Sequence, residues 1–551
     1  MLETNPLAGS WMGRMTVSAG ETETVWDAAI IGAGHNGLTA AAYLARAGRT
    51  VLVLERRAIV GGACATEEIA PGARVSSCAY IASMLLPRIV EDLDLAVEGL
   101  RMVPCDPAIT LPLGEGRVLR WWSDPARTAA EIAAFSTRDA DAFLAVDSEL
   151  KALARYLQPF FLEPPPDMAD EGFARLGAAW RLARRFLGIS GAQTAALLEF
   201  VTGSLGDFLD RRFESDEVKR LFLANNVYGK HGGPYDQGSA IGLLFHLLAG
   251  GETGVQGFSG HVIGGMGAIS QALAQAAARF GAKIRTEAPV AEIIIEGGRA
   301  VGVVLEDGAR IRARRVLSNA DPKRTFLKLT PAFALDKAFR RRIAGIKMAG
   351  PSGKLNLMLK RAPTFTWRTE HMSAAERAVF THAPLTLAEA QRCYAQCVAG
   401  EIPDRLWIDC VIPSLVDASL APAGVCMMTC FLQYLPYDLR GGDWDGRREA
   451  LGDQAVRELS AYLPDLAEII AARSVLTPLD LERTYGLTEG NIFHGDLRLN
   501  QLFFMRPAPG CSQYTTPIPG LYLCGAGAHP GGGVTGAPGH NCAMAVLKEK
   551  P

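Results

Sequence analysis

The alternation of apolar and polar positions picks out three patterned stretches separated by two long, less regular ones. Residues 27–31 end in the apolar run Ala28-Ala29-Ile30-Ile31, which reads as a short buried strand. Residues 38–47 have helical composition, Gly48 stands where a helix C-terminus is expected, and 50–54 read as a second strand ending at Glu55. The second stretch opens at Gly264-Gly265-Met266-Gly267. There Ile269, Leu273, Ala276 and Phe280 recur at helical spacing and Gly281 closes the helix. Strand-length runs follow at 283–286, 290–295, 301–305 and 310–314. The turns Gly297-Gly298 and Asp307-Gly308 make this a predicted β-meander, with Val316–Ser318 after it. The third stretch is a short apolar strand, 520–524, running into a glycine-rich segment. Pro538 then suits the first turn of a helix that continues to Leu547.

The segments between are richer in helical patterns and large apolar residues, as in 173–187 and 195–209, and Pro164-Pro165-Pro166 marks a surface break. This gives an α/β fold class: a Rossmann-type domain joined to an α+β substrate or cap domain, the first of which the motifs below liken to the glutathione-reductase-like, FAD/NAD(P)-binding type. The nucleotide-binding domain is expected to be discontinuous, from 25–90, 256–325 and 476–551. The cap is expected from 91–255 and 326–475, and 1–24 as a disordered leader.

The first stretch carries chemistry. Between its two strands stands Gly32-Ala33-Gly34-His35-Asn36-Gly37. Gly32 permits the tight turn, Gly34 lets backbone approach a pyrophosphate, and Gly37 lets the helix pack closely on the strand. The helix N-terminus offers free N–H groups and the positive end of its dipole to phosphate. Glu55 is placed to accept both ribose hydroxyls of an adenosine and would repel a 2′-phosphate, which argues against NADP. Gly61-Gly62 follow the acid, as in the glutathione-reductase-like flavoproteins, where such a pair makes a second turn beside the pyrophosphate. That resemblance favours FAD. Disulfide reductases of that superfamily carry a second cysteine five residues after the first; Cys64 has Ile69 there, so dithiol chemistry is disfavoured.

Composition narrows the picture further. At 551 residues the chain can bury more than one core, and a formal net charge of −2 gives no general electrostatic case for nucleic acid. Eleven cysteines are scattered without a C-x-x-C pair. Cys393/Cys397 and Cys426/Cys430 have four-residue helical spacing with no histidine beside them, and read as buried small hydrophobes rather than metal ligands. No apolar run reaches the ~18 residues of a membrane span. The longest candidate, 240–249, is interrupted by Gly242 and His246. A cytoplasmic location is expected, with peripheral membrane contact left open.

With these blocks in place the sequence resembles the phytoene desaturase and carotenoid isomerase group of flavoproteins. Within it, the resemblance is nearest to the branch called pyridine nucleotide-disulfide oxidoreductase domain-containing protein 2. It rests on Ile31 through Leu38, on Glu55-Arg56-Arg57 through Gly61-Gly62-Ala63, and on Thr484-Tyr485-Gly486-Leu487. It rests also on Gly490 through Asp496, and on Gly525-Ala526-Gly527 through His529-Pro530-Gly531-Gly532-Gly533. The resemblance implies non-covalent FAD held by Gly32, Gly34, His35, Asn36, Gly37, Glu55, Arg56, Gly61, Gly62, Ala63, Val290, Gly525, Gly533 and Val534. It also implies a desaturase, dehydrogenase or isomerase acting on a hydrophobic, polyene- or lipid-like substrate that gives a hydride to flavin N5. His494, Asp496, Tyr485 and His529 are the candidate polar groups for catalysis. Each histidine and the acid have a structural alternative: His494 satisfying carbonyls, Asp496 capping a turn, His529 bracing the glycine loop. Two other functions stay open, a flavin amine oxidase and a flavin-bearing interaction protein with little turnover.

Overall fold

The computed structural model describes residues 24–166, 176, 177, 180, 183, 184, 187–248, 260–381 and 385–549. The expected leader, apart from Thr24, and much of the 173–187 pattern lie outside these residues.

Five short strands make one parallel sheet, in the order Leu521–Leu523, Val316–Ser318, Ala28–Ile31, Val51–Leu54, Lys283–Arg285. Ala28–Ile31 and Val51–Leu54 are buried along their whole length, which is why they read as continuous apolar runs rather than alternating ones. The order reverses at Ala28–Ile31: Val51–Leu54, next in sequence, lies on one side, and the late strands Val316–Ser318 and Leu521–Leu523 on the other. In doubly wound sheets the ligand crevice lies at the carboxyl ends of the strands beside such a switch point. Helices His35–Arg46, Gly267–Arg279 and Ala537–Lys548 are beside this sheet, the first of them packed against both of the others. Their alanine-rich faces (Ala40, Ala41, Ala276, Ala277, Ala543) allow close approach to the buried core.

The meander is present as Val290–Glu296, Arg299–Leu305 and Arg310–Arg312, antiparallel throughout. Gly297 and Gly298 have φ of +56° and +76°, the positive pair that a two-residue hairpin turn requires.

A second five-stranded sheet, mainly from the 326–475 region, is antiparallel across the pairings Val379–Thr381, Trp407–Val411, Cys426–Gln433, Ser352–Leu359, Ile470–Leu476. Two expectations are corrected here. Cys426 and Cys430 lie on a strand, not a helix; a spacing of four is even, so it also places two residues on one face of a strand. The 195–209 pattern is broken into two helices, Gly191–Thr202 and Leu205–Arg212, because Gly203 leaves helical geometry and the Ser204 side chain caps the second helix. Among the described residues no helix is long and apolar enough to cross a membrane.

Candidate functional site

A cavity of about 410 Å³ is lined by the turn after Ala28–Ile31 at one end and by the antiparallel sheet at the other. At the first end the sequence builds a glycine cradle. Helix His35–Arg46 begins at Gly34 with no side-chain cap and no acidic residue in its first turn. Its leading N–H groups are therefore left for an anion. Gly61 N–H donates to the Ala33 carbonyl at 2.8 Å, and Gly34 and Gly61 pair as a parallel bridge. Gly61 has φ +117°, and a Cβ there would come within 2.4 Å of the Cys64 carbonyl oxygen, so only glycine fits.

Glu55 is 5% exposed. Its Oε2 accepts from Ala33 N–H at 2.8 Å and its Oε1 from Arg57 N–H at 2.9 Å. Those two bonds fix the carboxylate while leaving each oxygen a further lone pair. A bare helix N-terminus, a side-chain-free cradle and an oriented carboxylate together fit the adenosine diphosphate half of FAD.

The far end holds a group that sequence reasoning missed. Lys354, Phe431 and Asp409 stand directly opposite one another on three adjacent strands, so their side chains share one face. The Tyr80 ring stacks on Phe431, with centroids 5.7 Å apart and planes at 18°. Its hydroxyl donates to Asp409 Oδ2 at 2.5 Å, and the Tyr228 phenol also bonds to Asp409. Burial first, and the Asp409 charge second, push both phenols well above their ordinary pKa, so they remain protonated donors. Lys354 Nζ lies 4.2 Å from the Tyr80 ring centroid and has no hydrogen-bond partner. The residue is 1% exposed, and burial pulls its pKa down to about 8 against the opposing pull of nearby Cys78, Cys430 and Asp409. Ile109, Trp121 and Val379 complete an apolar wall around this end.

Most residues expected at the cofactor do line the cavity: Gly32, Gly34, His35, Asn36, Glu55, Arg56, Gly61, Gly62, Ala63, Val290, Gly533 and Val534. His35 Nε2 lies 3.2 Å from the Gly533 carbonyl, tying the first glycine block to the last. Gly37 and Gly525 do not line it. A Cβ on Gly37 would meet the Gly32 carbonyl oxygen at 2.2 Å, and one on Gly525 the Asn319 carbonyl oxygen at 2.7 Å; both serve close packing.

The four catalytic candidates separate. His494 lines the cavity at φ +57° with Nδ1 unpartnered, and burial lowers its pKa to about 4 despite nearby Asp321, so the ring is neutral. Tyr485 lines it too, but its hydroxyl donates to Glu67 Oε2 at 3.1 Å and its ring lies 5.2 Å from the Arg57 guanidinium. Asp496 lies off the cavity, accepting from Leu497 N–H at 2.9 Å and bridging Arg498 at 2.5 Å. His529 also lies off it, with Nε2 2.7 Å from the Phe160 carbonyl. Asp496 and His529 thus have the bracing surroundings of the structural alternative. The loops bearing His494 and Ala526 are held by Arg506, whose guanidinium donates to the carbonyls of Phe493, Gly495, Gln501 and Ala526.

All eleven cysteines are buried. Cys64 Sγ donates to the Met266 carbonyl at 3.2 Å, and burial pushes its pKa up to about 12. That environment keeps the thiol protonated and unreactive.

Fold and site define an FAD-dependent oxidoreductase. The family model for flavin containing amine oxidoreductases matches residues 37–546, and the chain belongs to that family. Pyridine nucleotide-disulfide oxidoreductase domain-containing protein 2 of Mus musculus is 39% identical, over 98% of this chain and 96% of its own. A limonene dehydrogenase component from Castellaniella defragrans is 26% identical over 95% of this chain and 94% of its own. The lycopene-forming phytoene desaturase of Pseudescherichia vulneris is 26% identical over 94% and 98%. Among solved structures, cyclohexylamine oxidase from Brevibacterium oxydans superposes with a TM-score of 0.55 at 16% identity, covering 95% of this chain and 99% of that one. That likeness concerns the fold.

Proposed function

We propose that this protein is a dehydrogenase or desaturase that oxidises an apolar, unsaturated substrate lying between the cradle and the antiparallel sheet. The observation that carries the reading is the continuity of one cavity from Glu55 and Gly61 to the wall of Ile109, Trp121, Val379 and Phe431. The names of two relatives, a limonene dehydrogenase and a phytoene desaturase, support the same substrate class. In this reading 25–90, 256–325 and 476–551 hold the cofactor, and 91–255 and 326–475 shape the substrate chamber.

FAD, when bound, supplies a hydride acceptor at N5. The chain's own residues do the rest. Glu55 orients the adenosine ribose through its free lone pairs, and Gly34 and Gly61 keep side chains away from the pyrophosphate. The aromatic and aliphatic wall excludes water and aligns the substrate by shape. Neutral His494 offers a ring nitrogen as a hydrogen-bonding group, not a cation.

Amine oxidation is a second reading, favoured by the family match itself. The test is anaerobic addition of polyenes, terpenes, lipids and amines to the FAD-loaded protein while flavin absorbance is followed. Bleaching by unsaturated hydrocarbons or their derivatives supports the proposal. Bleaching by amines alone, with peroxide formed on admitting air, would replace it with the second reading.

A further inference from the structure

The far end of the cavity is unusual for a site that takes a hydrocarbon, because its central polar group is a carboxylate. Asp409 is 4% exposed and lines the cavity. The hydroxyl of Tyr80 donates to it and the Tyr228 phenol bonds to it, so each phenol spends its single proton on Asp409. The oxygens that remain at this cluster, on Asp409 and on the two phenols, can only accept.

The charge balance narrows the ligand further. Lys354 stands in the same cross-strand row as Asp409, two strands away, or roughly 10 Å. It lies against the face of the Tyr80 ring whose hydroxyl bonds Asp409. At this end of the cavity the buried Lys354 thus already balances the charge of Asp409. An ammonium group arriving beside Asp409 would leave a net buried cation, which costs several kcal/mol. A neutral donor adds a hydrogen bond to a charged acceptor without changing that balance.

We propose that Asp409, held by Tyr80 and Tyr228, is a polar anchor that accepts a hydrogen bond from a neutral hydroxyl at one end of an otherwise apolar substrate. This rests on the reading that the cavity takes an apolar substrate beside the flavin, and it narrows that class from hydrocarbons to long unsaturated alcohols. Phe431, between the two charged residues of the row, and Trp121 and Ile109 supply the apolar surroundings of the anchored end.

Three probes with one polyene body test it: farnesol, farnesylamine and farnesene. Each is titrated anaerobically into the FAD-loaded protein, with the flavin difference spectrum as the readout. Farnesol is expected to bind at least roughly tenfold more tightly than either of the others, equivalent to about 1.4 kcal/mol. Asp409→Asn should reduce that preference to below about threefold while leaving farnesene binding unchanged, and Tyr228→Phe should reduce it part of the way. The probe series on the unaltered protein stands by itself if either variant folds poorly. Equal binding of farnesol and farnesene overturns the anchor but leaves the apolar-substrate reading intact. Tightest binding of farnesylamine overturns the neutral donor. No spectral response to any of the three overturns both the anchor and the reading beneath it.

Discussion

Replacing Lys354 by methionine should raise stability near neutral pH, and the gain should fade as pH rises. The side chain is almost wholly buried on strand Ser352–Leu359, makes no hydrogen bond, and meets the Tyr80 ring at 4.2 Å. Burial lowers its pKa from 10.5 to about 8. At about 1.36 kcal/mol per pKa unit that lowering is worth about 3 kcal/mol against the folded state. The sign follows from proton counting. Below pH 8 both folded and unfolded chains carry the proton, and the folded one bears the whole desolvation cost. Between about 8 and 10.5 the unfolded chain still holds the proton that the folded chain has released. The cost to the folded state is then fixed by the pH itself rather than by the buried charge, and stability rises with pH across that window relative to a chain without the lysine. Above it the cost is gone.

Lys354→Met has no such proton, so wild type should be the less stable at pH 7, by up to about 3 kcal/mol, and should have closed most of that gap by about pH 10. The figure at pH 7 is a ceiling, because Asp409 loses its balancing cation in the variant; the convergence with pH is the firmer quantity. Lys230 is also buried and lowered to about 8, but it is present in both proteins and cancels in the difference. The assay is thermal unfolding of both proteins from pH 7 to 10, alongside NMR of isotope-labelled lysine with the Lys354 signal assigned by its loss in the variant. A Lys354 midpoint near 10, or a stability difference that stays flat across the range, would refute the reasoning.

Three further outcomes follow from the same geometry. Glu55→Ala strips the acceptors from two backbone N–H groups and from the ribose, so FAD affinity of the reconstituted protein should fall at least tenfold, or about 1.4 kcal/mol; an unchanged dissociation constant by flavin fluorescence counts against the ribose role. Arg506→Met leaves the carbonyls of Phe493, Gly495, Gln501 and Ala526 without their shared donor and should cost about 3–5 kcal/mol, seen by calorimetry as a lower unfolding temperature. Cys64→Ala removes a buried thiol that has no partner cysteine, so substrate-driven flavin bleaching should keep its rate; its loss, with FAD content unchanged, would restore a redox role for this residue.

The nucleotide half of the protein was legible because its signals are local and agree with one another. Continuous apolar runs, a glycine turn and a helix in fixed order place Ala28–Ile31, His35–Arg46 and Val51–Leu54 to within a few residues. Glycine pairs likewise mark the meander turns. The far end of the cavity was not legible, for a physical reason. Lys354 and Asn356 alternate with Leu355 and Leu357, which is the pattern of a strand with one wet face. Period two assigns residues to faces but does not say what covers each face. Here the polar face is buried under Tyr80 and the 77–80 segment: Thr429 Oγ1 donates to Asn356 Oδ1 at 2.6 Å, and Asn356 Nδ2 donates to the Ser77 carbonyl at 3.3 Å. Asp409 sits in Trp407–Val411, a strand of buried residues, where an acid among apolar neighbours was the one available signal. His494 was found from its neighbours in sequence, yet nothing in that run distinguished it from Asp496, whose carboxylate turns away to Arg498.

The two glycine turns of the cradle are stitched together by the chain's own hydrogen bonds. Gly61 bonds Ala33, Glu55 bonds both Ala33 and Arg57, and Gly34 bridges Gly61. Residues far apart along the chain therefore behave as one interchangeable part rather than two. Grafting the 55–62 turn alone from another flavoprotein would break the partner of Ala33 and disturb the first turn as well. The network ends at Cys64, whose N–H closes the second turn by donating to the Gly61 carbonyl at 2.9 Å. A change to either turn is therefore felt by the other through Ala33.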